Sequence, residues 1–303
     1  MTARKAFRQM VEAPEILILP GVFNGYSVRL VEQMGYRAAA ISGAGVSESF
    51  LGWADKGILT FDQNLTVCSR LVDCSGIPLL ADADNGYGNA VNVHFVVRAF
   101  EKAGLAAISI EDQVSPKRCG HMAGKQVLPA WEMVQKIKAA VDARTDENFL
   151  IRARTDAAAT DGISEVIDRL GMYAEAGADI VFADALMSVE DIATVAKHAT
   201  RPLSVNMGFG LMERGTTPLL TPRQLQDLGV SVVSYARMLT SASVRGMVNA
   251  LNAFAETVDL PKPRYSPELL VNFEEINRLV GIGHLNNLEN RFGQADPASK
   301  SGE

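Results

Sequence analysis

Short runs of almost wholly apolar residues recur along the chain, each followed by a longer amphipathic stretch. The runs fall at 15–20, 38–42, 78–82, 106–111, 149–154, 179–184, 202–206 and 231–237. Apolar runs without polar alternation suit strands covered on both faces, as in a parallel sheet wrapped by helices. Between them, 93–103, 131–141 and 166–175 carry apolar residues at helical spacing. Gly35, Gly104, Gly177 and Gly229 stand where such helices stop before the next strand. Repetition of β then α eight times predicts a closed (β/α)8 TIM barrel over 1–255. The alternative, an open doubly wound sheet, wants a G-x-G-x-x-G turn after the first strand, and none is there.

Residues 256–303 fall outside the repeat. Pro261-Lys262-Pro263 breaks the chain, a helical segment is predicted near 267–280, and a polar end follows. This is read as a C-terminal helical extension that packs on a neighbouring subunit or folds back on its own barrel.

The polar residues that close the apolar runs carry the chemistry. In a barrel the site collects at the C-terminal ends of the strands. There stand Ser42-Gly43-Ala44, Asp82 and Asp84, Glu111, Arg154, Asp184, Asn206 and Arg237. Asp82 and Asp84 are two apart, so they share one side of an extended strand. With Glu111 they form a carboxylate cluster that repels itself unless a cation neutralises it. Oxygen ligands without His or Cys suit a hard ion, Mg²⁺ first and Mn²⁺ second. The other way to balance the charge is a protein cation, Arg154 or Lys117. Asp112 and Asp156 are read as turn or cap residues.

One loop, Ser115-Pro116-Lys117-Arg118-Cys119-Gly120-His121-Met122-Ala123-Gly124-Lys125, is too polar for a core and follows Glu111. Lys117, Arg118 and His121 around Cys119 would favour its thiolate, making it an acid–base or nucleophilic group. The glycines suit a loop that closes over substrate. The plain alternative is a solvated basic loop with an incidental cysteine. Cys68 and Cys74 are read as packing residues, and His94, His198 and His284 as surface or helix positions.

Composition narrows the setting. The 303 residues are 48% hydrophobic and 21% charged, with net charge −6. No Lys/Arg-rich run marks a nucleic-acid or membrane-binding surface, and no apolar stretch approaches the roughly 20 residues of a membrane span. The N-terminal segment lacks the apolar core of a signal peptide. Three cysteines in neither metal-ligand nor disulfide spacing suit a reducing cytoplasm.

The runs ADADNGYGN (81–89), IEDQ (111 being its Glu's number), KRCGH (117–121), RARTDA and TTPLLT resemble the isocitrate lyase/phosphoenolpyruvate mutase superfamily, in register over roughly 5–255. The loop makes the small lyases acting on 2-methylisocitrate or 2,3-dimethylmalate the nearest branch. The resemblance implies Asp84 as the main metal ligand, with Asp82, Glu111 and Asp55 holding the metal's waters. Ser42, Gly43 and Ala44 would bind the oxo-acid carboxylate, and Arg154 the oxygen that becomes a carbonyl. Cys119 would be the carbon acid, with Lys117, Arg118, Gly120 and His121 its neighbours. His121, Asn206 and Thr217 would reach the second carboxylate. A homotetramer exchanging C-terminal helices is also implied. Two departures bear on the substrate. Ala183-Asp184-Ala185 stands where the lyases carry Glu, and 207–216 is longer than in methylisocitrate lyases.

The expected activity is Mg²⁺-dependent retro-aldol cleavage of a 2-hydroxy di- or tricarboxylate to pyruvate or a similar 2-oxo acid. An oxaloacetate decarboxylase or carbon–carbon hydrolase of the same superfamily is the alternative. A non-catalytic dicarboxylate-binding barrel is the remoter one.

Overall fold

The structure is a computed structural model and describes residues 1–120 and 122–293. The polypeptide divides into two compact units, 1–242 and 243–303.

The first unit contains a closed barrel of parallel strands in chain order. They are β1 (Leu17–Val22), β2 (Ala39–Ile41), β3 (Leu79–Asp82), β4 (Ala107–Glu111), β5 (Leu150–Thr155), β6 (Ile180–Ala183), β7 (Leu203–Asn206) and β8 (Val232–Tyr235). β8 closes on β1 through Leu17↔Val232 to Pro20↔Tyr235. All eight apolar runs are therefore strands, and the open sheet is excluded. The helices in this unit are α1 (Ala3–Glu12), α2 (Gly25–Gln33), α3 (Gly43–Val46), α4 (Phe61–Asp73), α5 (Ala90–Lys102), α6 (Ala130–Ala143), α7 (Ile163–Glu175), α8 (Val189–His198) and α9 (Pro222–Asp227). α10 (Met238–Ala255) begins in this unit and continues into the second.

Alternation along the strands sorts the side chains. Ile41, Leu79, Ala81, Ile108, Ile110, Ile151, Ala153, Val181, Leu203, Val205 and Val233 belong to the larger apolar cluster, shared with the helices. The residues between them point the other way. At the N-terminal ends of the strands Leu17, Leu19, Ala40, Leu80, Ala107, Leu150, Ile180 and Val232 form a second apolar cluster, joined by Phe7 and Val11 of α1. α1 thus plugs the bottom of the barrel.

Above that plug the interior turns polar. Arg152 is buried and donates to Ser109 (3.1 Å), Ser204 (3.3 Å) and Ser234 (3.2 Å). Its guanidinium lies over the Phe182 ring, 4.7 Å from the centroid. Burial pushes its pKa down to about 10, against the pull of Asp82. Above it the strand ends carry Asp82, Glu111, Arg154 and Asn206. The barrel is apolar below and charged above.

Helix ends are set locally. Asn24, Thr60, Asn89, Ser188 and Thr221 each make a capping box with the residue three ahead. Gly35, Gly104, Gly177 and Gly229 all have positive φ, as helix-stopping glycines do.

In the second unit the segment predicted near 267–280 is a 3-10 turn at Pro267–Leu269 followed by α11 (Phe273–Leu279). The stretch read as a polar end holds a further helix, α12 (Ile282–Phe292). Its apolar residues Ile282, Leu285, Leu288 and Phe292 recur at helical spacing among polar neighbours, which composition alone hid. Among the described residues no helix is long and apolar enough to cross a membrane.

Phe7 is fully buried in the bottom plug. Phe7→Ala should cost about 3–5 kcal/mol. It should lower the urea midpoint and leave ligand binding at the opposite rim unchanged.

Candidate active site

A small cavity of about 60 Å³ lies at the C-terminal rim. Its walls include Ser42, Ala44, Asp55, Asp82, Lys117, Cys119, Gly120, Arg154, Asp184 and Asn206. These expected site residues, drawn from strands and loops far apart in sequence, meet in one place. Asp84 and Glu111 are buried behind the wall. Gly43 packs against Asp82, where an added Cβ would stand 2.7 Å from its Oδ2. Thr217 is buried but is not part of the wall. His121 lies outside the described residues.

The carboxylates meet two protein cations. Lys117 Nζ sits 2.7 Å from Asp55 and 2.8 Å from Asp84. Arg154 Nη1 is 3.2 Å from Glu111 Oε2. Burial opposes the Lys117 ammonium, but Asp84, Glu111, Asp55 and Asp82 outweigh it and hold its pKa well above the usual lysine value. Burial also raises Asp84, to about 6 despite Lys117, and raises Glu111 well above the usual carboxylate range. Glu111 Oε1 is buried with no hydrogen-bond partner among the described residues. Buried anions with an orphaned oxygen still favour added positive charge, so these residues fit a hard divalent ion. Among the described residues no group of three His, Cys, Asp or Glu side chains is already arranged to hold one.

Lys117 and Arg118 do not surround Cys119 as expected. Lys117 is drawn down to the carboxylates, and Arg118 Nη1 reaches out to the Ala123 carbonyl at 2.8 Å. The arginine facing the thiol is Arg237, its Nη2 3.7 Å from Sγ. The other edge of Arg237 bonds Glu48 Oε2, from the π-helical turn Ser47–Leu51. Cys119 N donates to the Asp55 carbonyl at 3.2 Å, pinning the thiol to the rim.

Asp112 and Asp156 are buried hubs, and Asp156 also stands at the N-cap position of the short turn Ala157–Ala159 without a side-chain cap bond. Asp112 accepts from Thr155 (2.7 Å), Tyr173 (2.8 Å) and Arg169 (3.2 Å). Asp156 accepts twice from Arg154, at 2.9 Å each. It also takes Lys125 Nζ at 2.8 Å. Burial would raise Asp156, but Arg154 and Lys125 hold it below the usual carboxylate value. The i, i+2 spacing of Arg154 and Asp156 was the signal available in the sequence. Lys125 carried no such mark. Asp184 meets the same arginine directly, Oδ2 to Nη2 at 2.6 Å. Its short side chain thus contacts the protein's own cation.

Local backbone shapes the wall. Ser42 caps α3, accepting from Gly45 N at 3.1 Å. Asp84 takes a left-handed conformation (φ 48°) and donates its N–H to Asp82 Oδ1 at 3.0 Å. Gly120 has no room for a side chain. A Cβ there would stand 1.8 Å from Asp184 Oδ2 and 2.3 Å from Arg154 Nη2.

A TIM barrel whose rim gathers buried acids, two arginines and a cysteine loop defines an enzyme-type site for small anionic ligands. The family model for phosphoenolpyruvate phosphomutase matches residues 7–255. A 2,3-dimethylmalate lyase of Eubacterium barkeri is 35% identical over 96% of this chain and 99% of its own. A solved oxaloacetate acetylhydrolase with 3,3-difluorooxalacetate superposes with a TM-score of 0.88 at 27% identity, over 97% of this chain and 99% of the other. A phosphonopyruvate hydrolase solved with oxalate and Mg++ gives 0.84 at 29% identity, over 97% and 100%. The chain belongs to the phosphoenolpyruvate phosphomutase family, within the isocitrate lyase/phosphoenolpyruvate mutase superfamily.

Gly120→Ala should prevent the 117–125 loop from seating. Hydrogen exchange of its amides is expected to accelerate by about tenfold or more, with the barrel strands unchanged.

Proposed function

We propose that this chain is a Mg²⁺-dependent carbon–carbon lyase. Its substrate class is a 2-hydroxy di- or tricarboxylate of the 2,3-dimethylmalate or 2-methylisocitrate type. The products are pyruvate or a similar 2-oxo acid and a carboxylate. The observation that carries this reading is Cys119 lining the same cavity as Asp55, Asp82 and Arg154. The 35% identity to a dimethylmalate lyase over nearly both whole chains supports it.

Asp84, Asp82, Glu111 and Asp55 would hold the ion, which supplies electrostatic stabilisation of the substrate's hydroxyl oxygen and adjacent carboxylate. Ser42, Gly43 and Ala44 bind the 2-oxo-acid carboxylate. As Asp184 takes the hydroxyl proton, the C–C bond breaks, its electrons pass to the departing carbon, and the oxygen becomes a carbonyl. Arg154, held by Asp156 and Asp184, stabilises charge at that oxygen. Cys119 gives its proton to the departing carbon, and Gly120 lets the loop close against Asp184 and Arg154 to exclude water.

A carbon–carbon hydrolase acting on oxaloacetate is the second reading, favoured by the structural match to oxaloacetate acetylhydrolase. A panel of 2,3-dimethylmalate, 2-methylisocitrate, isocitrate and oxaloacetate decides between them, assayed with Mg²⁺ and with EDTA. The lyase reading expects 2-oxo-acid release from a hydroxy acid, abolished by EDTA and lowered about 10²–10⁴-fold in Cys119→Ser. Cleavage of oxaloacetate alone, undiminished in that variant, sinks it.

We further propose a homotetramer in a reducing cytoplasm, with 1–255 as the catalytic barrel and 256–303 exchanged between subunits. Leu251, Phe254, Leu270 and Phe273 are largely exposed in the single chain, which suits burial against a partner. Phe254→Glu should shift the mass by light scattering from tetramer toward smaller species.

A further inference from the structure

The segment after β7 is built around one side chain, Arg214. Its Nη2 donates to the Asn206 carbonyl and to Thr217 Oγ1 at 3.2 Å, so a single guanidinium ties the two ends of the segment together. Arg214 and Thr217 also form an antiparallel bridge. Gly208 lies beneath the guanidinium. It has φ +59°, and a Cβ there would stand 2.2 Å from Arg214 Nη1. The same turn fixes both flanking strand ends. Gly208 N donates to Asn206 Oδ1 at 2.9 Å, and Arg237 N donates to the Gly208 carbonyl at 3.0 Å. Asn206 and Arg237 both line the cavity. Asp184, Cys119, Arg154 and Arg237 all act electrostatically on Arg214.

In the closed strand order β7 and β8 stand across the barrel from β3 and β4. The rim is therefore acidic on the side of Asp82, Asp84 and Glu111, and carries Asn206, Arg214 and Arg237 on the other. A ligand with one carboxylate at the acidic side, through a cation, meets amide and guanidinium groups with its far end. Charge-assisted hydrogen bonds of that kind discriminate strongly against a ligand that lacks the far carboxylate.

We propose that Arg214 is a positioning residue that makes the site selective for ligands with a second carboxylate, by holding Asn206 and the Gly208 turn under Arg237. The proposal rests on the lyase reading for its substrate class but is tested without turnover. Oxalate, whose two carboxyl groups are adjacent, and succinate, whose carboxyl groups are separated, are titrated calorimetrically in the presence of Mg²⁺. Wild type, Arg214→Ala, Arg214→Lys and Gly208→Ala are compared. Gly208→Ala keeps the arginine but displaces its guanidinium, so the test does not depend on one variant folding.

Succinate affinity is expected to fall about tenfold or more in Arg214→Ala and Gly208→Ala. Oxalate affinity should stay within about twofold, and Arg214→Lys should recover part of the loss. With a hydroxy-acid substrate KM should rise about tenfold, while kcat changes by less than about threefold. Parallel loss of oxalate and succinate binding would show a merely structural role and overturn the proposal. So would unchanged succinate binding, or a wild type that binds oxalate but not succinate. A selective loss of succinate binding in an enzyme that cleaves no hydroxy acid would uphold this inference and defeat the lyase reading.

Discussion

The rim of this barrel depends on neutralising buried carboxylates. Asp55, Asp84 and Glu111 are all nearly solvent-free, and carboxylates in that state cannot all stay ionised without nearby positive charge. Lys117 and Arg154 supply part of it. Because Lys117 belongs to the loop after β4, satisfying the carboxylates also draws that loop over the cavity. Cys119 and Gly120 come with it. Charge balance and the position of the loop are thus set together, and the orphaned Glu111 oxygen shows where the balance is still incomplete.

Below that layer the barrel keeps its two tasks apart. Phe7 and the aliphatic residues of the lower strand ends form a packed plug without chemistry. Arg152 stands between plug and rim, donating to three serine hydroxyls. A buried arginine hydrogen-bonded to hydroxyls puts positive charge at the centre of the barrel, below the cavity. Asp112, Arg169 and Tyr173 anchor the start of the loop to α7, giving the rim a fixed base.

The lyase and hydrolase relatives share this fold, so fold alone does not choose between them. The choice falls on the groups that meet the departing carbon. Under the proposed lyase reading those would be Cys119, faced by Arg237, and the β7 side of the rim, where Arg214 bonds Thr217. Asp184 pairs directly with Arg154, and the two together leave no room for a side chain at Gly120.

The strands, the order of the β/α units, and most of the rim residues were legible in the amino-acid sequence. Strands buried on both faces must be apolar, and the polar residues ending them need a use. The loop was legible as a polar segment with a thiol, and family motifs assigned roles to its residues. What the sequence could not carry was direction. It placed Lys117 and Arg118 beside Cys119, whereas the folded chain turns Lys117 to Asp55 and Asp84, turns Arg118 outward, and brings Arg237 to the thiol from β8. It read Asp112 and Asp156 as turn or cap residues without their buried partners, and it could not show that Arg214 ties Asn206 to Thr217. Local patterns report which face of an element is buried, because periodicity follows from backbone geometry. Partners across a barrel are set by closure of the whole sheet, and only the tertiary structure decides which charge meets which.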